Sequence, residues 1–255
     1  MDAPYRLKVF ANSDELSKAA AQWIASDIAS TLAERDRYTI ALSGGSTPKK
    51  LHELLAGAPF KDSIAWNKMH VFWGDERAVP FEDDRNNAKM AYDTLLDHVP
   101  IPPSQIHIMR TDIAPEQSAI EYEKILHRYF PSLESKSDFS FDLVILGMGD
   151  DGHTLSLFPG TKAVHEEKSW AIAFYLQAQN MFRITLTKTI VNRSSCILFL
   201  ATGSNKAHAL KEVLEGNYNP DKYPSQVIRP VDGKVFWFVD EPAAEGLSVS
   251  RKGAK

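Results

Sequence analysis

Phe141-Asp142-Leu143-Val144-Ile145-Leu146 runs without a break into Gly147-Met148-Gly149-Asp150-Asp151-Gly152-His153. The first half has the length and apolar content of a strand buried on both faces, and the second opens with the residue type that ends such a run and turns the chain. A strand feeding a glycine-rich loop points to an α/β sheet, in which ligands collect outside the carboxyl ends of the strands.

The spacing Gly-x-Gly-x-x-Gly after a strand is shared with dinucleotide-binding loops, but two features argue against nicotinamide binding. Asp150 and Asp151 place negative charge where a pyrophosphate would lie, and Pro159-Gly160 arrives too soon for a long crossover helix. The loop reads instead as a tight, open turn that presents Asp151 and His153 to a pocket, a carboxylate beside an imidazole being the arrangement that orients a general base.

Working outward, the same alternation of apolar runs and amphipathic stretches recurs. Strands are expected at Tyr38–Leu42, His70–Trp73, Ile106–Met109, Ile184–Leu186, Cys196–Ala201 and Val235–Val239. A helix is expected from Asp14 to Arg35 with Ser13 as N-cap and Leu16, Ala20, Trp23, Ile24 and Ile28 on one face. The stretch Ala114 to Lys136 reads as a charged helix in a peripheral insertion. Together these predict a doubly wound, mostly parallel sheet with helices on both faces, and nothing marks a boundary within a single domain spanning residues 1–255.

Bulk properties narrow the function. The chain has 255 residues, 44% of them hydrophobic, and a net charge of −4 from 29 basic and 33 acidic residues. No Lys/Arg block is long enough for a nucleic-acid footprint, and no apolar run reaches the ~18 residues of a membrane span. Met1-Asp2-Ala3-Pro4-Tyr5-Arg6 lacks the layout of a signal peptide, and the single Cys196 excludes an internal disulfide, so a cytoplasmic protein is expected. Asp150, Asp151, His153 and His165 fit no standard zinc spacing; neither a metal nor a cofactor is called for. Composition leaves the oligomeric state open.

Three further loops follow strands. Ser43-Gly44-Gly45-Ser46-Thr47-Pro48 places two glycines and two hydroxyls before a helix, the layout of an anion cradle, although an ordinary tight turn uses the same residues. Gly74-Asp75-Glu76-Arg77 puts two carboxylates and a guanidinium at a strand end, where function usually sits; a surface ion pair of Asp75 or Glu76 with Arg77 fits these residues equally well. Downstream, Asp84 is suited to cap a helix running toward Leu96. Arg183, in Arg183-Ile184-Thr185-Leu186-Thr187, and Lys206, in Gly203-Ser204-Asn205-Lys206-Ala207, are candidate phosphate cations, and a lysine in a first helical turn opposes the helix dipole unless an anion lies nearby.

Taken with the loop from Gly147 to Gly160, Tyr223-Pro224-Ser225-Gln226 and Trp237-Phe238-Val239-Asp240, these segments closely resemble the 6-phosphogluconolactonase family in order and spacing, over nearly the whole chain. The resemblance implies the fold shared with amino-sugar-phosphate deaminases and hydrolysis of 6-phospho-D-glucono-1,5-lactone, a small phosphorylated sugar lactone. In the deaminases the fifth residue after the Asp-Gly-His histidine is a glutamate tied to ring opening; here it is Phe158, which cannot relay a proton. Lactone hydrolysis needs only water, a base and an oxyanion site. The resemblance makes His153, Asp151 and Asp75 the catalytic candidates. Ser43, Gly44, Gly45, Ser46, Thr47, Arg77, Gly149, Gly152, Arg183 and Lys206 become the substrate and phosphate contacts. A non-catalytic sugar-phosphate sensor would need a reader domain, which no extension before Tyr5 or after Asp240 suggests.

Overall fold

The computed structural model describes residues 5–131 and 139–248. Its strands are β1 (Arg6–Phe10), β2 (Tyr38–Leu42), β3 (Met69–Trp73), β4 (Asp75–Arg77), β5 (Leu143–Gly147), β6 (Ala171–Leu176), β7 (Met181–Leu186), β8 (Cys196–Ala201) and β9 (Lys234–Asp240). Between them lie helices α1 (Ser13–Leu32), α2 (Ser46–Leu55), α3 (Phe60–Ser63), α4 (Asn87–Thr94), α5 (Pro115–Tyr129), α6 (Lys188–Val191), α7 (Ala207–Glu215) and α8 (Glu241–Ala244). Six strands form a parallel sheet in the order β1-β9-β8-β5-β2-β3; β4, β7 and β6 form a second, antiparallel sheet.

The parallel strands read as continuous apolar runs because they are covered twice. Along β8, Cys196, Leu198 and Leu200 join the core under α1 and α2, while Ile197, Phe199 and Ala201 join the core on the other face. β5 divides likewise, Leu143 and Ile145 to one side and Val144 and Leu146 to the other. The doubly wound, mostly parallel architecture therefore stands. After β2 the chain steps outward to β3, and after β5 it steps the opposite way to β8 and β9. The order reverses between β2 and β5, and a crevice opens where neighbouring strands send their loops apart.

Several boundaries differ from expectation. The N-cap of α1 is Asn12, whose side chain accepts hydrogen bonds from the Asp14 and Glu15 amides, both at 3.0 Å; Ser13 is the first helical residue and the helix ends at Leu32, short of Arg35. The N-cap of α4 is Asn86, accepting from the Lys89 amide at 2.9 Å, so Asp84 does not start that helix. α5 is no peripheral insertion: Ala119, Tyr122 and Leu126 are buried against the sheet, while the end of the stretch expected to be helical, from residue 132 to Lys136, lies outside the described residues. Ile106–Met109 forms only a bridge, from Ile106 to Val71. The reason is that a side chain finishes the β3 edge: Tyr122 Oη accepts from the Trp73 amide at 2.8 Å and donates to the Trp73 carbonyl at 3.0 Å. Among the described residues no helix is long and apolar enough to cross a membrane.

Candidate active site

At the reversal between β2 and β5 lies a cleft of about 200 Å³. Ser43, Gly44 and Gly45 from the loop after β2, Asp75 and Arg77 from β4, and Gly149 and His153 from the loop after β5 line it, with Arg183 of β7 and Lys206 before α7. Nine of the residues singled out in the sequence thus share one concavity. Ser46, Thr47, Asp151 and Gly152 stand behind it. Ser46 begins α2, and the Thr47 hydroxyl lies 2.9 Å from that of Thr202, tying the two strand-to-helix loops together.

The loop after β5 holds the imidazole from three sides. His153 Nδ1 lies 2.6 Å from Asp151 Oδ1, which also accepts the His153 amide at 3.0 Å. Burial raises the Asp151 carboxyl, but these bonds from His153 outweigh it and hold the group below its usual value. Gly149 is obligatory, since a Cβ there would fall 2.1 Å from His153 Nδ1. The His153 ring stacks on Phe158, with centroids 4.0 Å apart and planes 25° apart. Gly152, at φ +77°, turns the loop where a side chain would also strike Tyr223. Its carbonyl accepts both the amide and the hydroxyl of Ser225, at 2.9 and 2.8 Å, which is the part played by the Tyr223-Pro224-Ser225-Gln226 segment.

The cations are set by the small sheet. At Gly74 the chain leaves the parallel sheet, its amide donating to Leu42, and enters β4, its carbonyl accepting from Leu186. β4 pairs antiparallel with β7 so that Arg77 stands directly opposite Arg183. Like charges in register across two strands are unfavourable on their own. Arg183 is 4% exposed, and its Nε and Nη1, like Arg77 Nε, find no hydrogen-bond acceptor among the described residues. Desolvation, and then Arg77, lower the Arg183 pKa against the pull of Asp75, whose Oδ2 is 3.7 Å away. Buried guanidinium N–H groups without acceptors are costly, and an anion in the cleft would satisfy them. Gly45, at φ +107°, supplies α2 with no side-chain cap, so the helix turns free amides toward the same place.

Sequence reasoning missed the second layer. The Ser156 hydroxyl donates to Asp75 Oδ2 at 2.6 Å, and Asn87, which lines the cleft, donates through Nδ2 to the Asp75 carbonyl at 2.9 Å. Gly44 is required by that neighbour, a Cβ falling 1.9 Å from Asn87 Oδ1. Glu76 is fully buried and accepts the amides of Arg77, Asn87 and Ala88 at 2.7 to 2.8 Å, clamping the start of α4 to β4. Burial drives its carboxyl up to about 7 despite those bonds. Asp240 caps α8 and accepts the Gly203 amide at 2.9 Å, which fixes the loop carrying Lys206. His165 does not line the cleft; its Nε2 meets Asp221 Oδ1 at 2.6 Å on the surface.

The chain as a whole is similar to known proteins. A 6-phosphogluconolactonase of Synechocystis sp. is 40% identical over 95% of this chain and 98% of its own length. The solved 6-phosphogluconolactonase from Trypanosoma cruzi superposes with a TM-score of 0.85 at 28% identity, covering 97% of this chain and 98% of that one. A monomeric glucosamine-6-phosphate deaminase, 22% identical, shares the fold with a TM-score of 0.80 over 95% of this chain and all of its own. Residues 11–237 match the family described as glucosamine-6-phosphate isomerases/6-phosphogluconolactonase, and to that family this chain belongs.

Proposed function

We infer that this chain hydrolyses 6-phospho-D-glucono-1,5-lactone to 6-phosphogluconate, the lactonase step of the oxidative pentose phosphate pathway, in the cytoplasm. The observation that carries this reading is a base and an anion clamp sharing one small cleft: His153 on Asp151 at 2.6 Å, facing the opposed Arg77 and Arg183 with their unpartnered N–H groups.

Asp151 occupies Nδ1 and so fixes the tautomer, leaving Nε2 as the basic nitrogen of the neutral ring. Nε2 takes a proton from water as its oxygen bonds to the lactone C1, and Asp151 stabilises the imidazolium. The bond from C1 to the ring oxygen then breaks, and the imidazolium returns its proton to that oxygen. The new carboxylic acid releases a proton to solvent. The Gly149 and Gly152 amides are spent inside the loop, on the His153 and Gly149 carbonyls at 2.8 and 3.2 Å, so the oxyanion draws on other donors. The 6-phosphate is assigned to Arg77, Arg183, Lys206 and the start of α2, which fixes the lactone's register. Asp75, held by Ser156, offers its second oxygen to ring hydroxyls.

The test is to incubate freshly made phosphogluconolactone and, separately, glucosamine 6-phosphate with the protein and a chelator, following acid and ammonia. Acid above the spontaneous rate with no ammonia is expected. Ammonia from the amino sugar, or acid release no faster than in buffer, would overturn the reading.

A further inference from the structure

Phe158 holds a place that the hydrolytic step itself does not use. It is 7% exposed and does not line the cleft, yet two working groups rest on its ring. The His153 imidazole stacks on it at 4.0 Å, and the Arg183 guanidinium lies over it at 5.4 Å from the centroid. Neither group is otherwise fully fixed. The bond to Asp151 holds the imidazole at one edge, through Nδ1, and the Phe158 ring is what meets its face. Among the described residues the Arg183 side chain makes one hydrogen bond, from Nη2 to Gln179 Oε1 at 2.8 Å, while Nε has no acceptor and Nη1 has only the long ion pair to Asp75 Oδ2 at 3.7 Å.

We propose that Phe158 is a positioning residue for catalysis: its ring sets the plane of the His153 imidazole and seats the Arg183 guanidinium, holding base and anion clamp in one register. The proposal rests on His153 being the base and Arg183 a phosphate contact. A flat π face suits both jobs, since a planar ring meets it in one orientation and a cation over it is attracted by the quadrupole. That attraction is larger for imidazolium than for imidazole, so the stack favours the charged form that develops as water is deprotonated. Gly149 adds a constraint of its own, since a Cβ there would fall 2.1 Å from His153 Nδ1 and 2.5 Å from Asp151 Oδ1 and could not coexist with the imidazole in this place.

The experiment compares Phe158→Leu, Phe158→Met and Phe158→Tyr with the parent enzyme and with His153→Ala, all assayed well below their melting temperatures. In the aliphatic variants kcat should fall on the order of ten-fold and KM rise several-fold, while Phe158→Tyr stays within about three-fold of the parent in both. Methionine fills the site without a ring, so one aliphatic variant is expected to fold if the other does not. In protein labelled at histidine, the His153 ring-proton resonance, assigned by its loss in His153→Ala, should sit upfield in the parent and Phe158→Tyr and move downfield in the aliphatic variants.

Aliphatic variants with parental kcat and KM would overturn the proposal, as would a Phe158→Tyr that loses as much as they do. If His153→Ala retains turnover, the base assignment fails and takes the proposal with it. If His153→Ala is inactive and Phe158→Leu is not impaired, the function stands and the role of Phe158 alone is lost.

Discussion

Two histidines in this molecule meet an aspartate at the same distance. His153 Nδ1 lies 2.6 Å from Asp151, and His165 Nε2 lies 2.6 Å from Asp221. Only His153 lines the cleft, with Asp151 behind it. The contact itself is therefore not the function. His153 and Asp151 are two residues apart in a loop that glycine folds tightly, with an aromatic ring below the imidazole and opposed arginines across the cleft. His165 and Asp221 join two surface segments, both side chains more than half exposed, where water competes for every bond. What distinguishes them is fixed orientation and a place in the cleft.

The comparison is most sharply tested by removing each imidazole. His153→Ala should lower kcat by a factor on the order of 10²–10⁴, the range of a lost general base, with phosphate affinity largely kept. His165→Ala should leave kcat and KM within about two-fold; equal losses in steady-state kinetics would break the contrast. Arg183→Gln tests the clamp opposite the base. Losing a buried charged donor should raise KM by roughly ten-fold or more and weaken product binding in calorimetry, with a smaller effect on kcat.

Glu76 sharpens the same point away from the chemistry. Unfolded, its carboxyl ionises near its ordinary 4.5; folded, it holds its proton up to about 7. Between those values the unfolded state alone loses the proton, so this group subtracts stability as pH rises from 4.5 to 7, and the loss is constant above that. Glu76→Gln lacks the titration but also one acceptor, because its amide nitrogen cannot accept a backbone N–H. The difference in Tm, parent minus variant, should therefore shrink by several degrees between about pH 5 and pH 8, a few kcal/mol at most. A pH-independent difference would show that Glu76 ionises normally in the fold. The smallest effect is expected at the surface pair: Asp221→Asn should cost less than about 1 kcal/mol in denaturant unfolding and leave turnover unchanged.

What could be seen before the structure follows how far apart the interacting residues lie. β2 and β8 were visible to the residue, because strands buried on both faces must be apolar throughout. β4 was not, since Asp75-Glu76-Arg77 carries three side chains poorly suited to a strand and becomes one only by pairing with β7. β1 and β6 were overlooked too; both are edge strands, and in β1 Arg6 and Lys8 interrupt the apolar run, while β6 is apolar throughout but too short to tell strand from helix by periodicity alone. In the site, Asp151 and His153 were legible because their bond spans two residues of one loop. Ser156 on Asp75 and Ser225 on Gly152 were not, being separated by 81 and 73 residues of chain.

By itself the sequence determined the doubly wound class, the glycine-framed loop that carries Asp151 and His153, and the cationic residues Arg77, Arg183 and Lys206. These are local matters, written in periodicity, turn chemistry and charge. Only the tertiary structure decided that Arg77 and Arg183 oppose each other, that Glu76 is buried, and that Phe158 lies under His153 rather than merely replacing a glutamate. Each of those depends on which distant strands pair and in what register, and a register is chosen by the burial of the whole sheet, not by the residues that come to face one another.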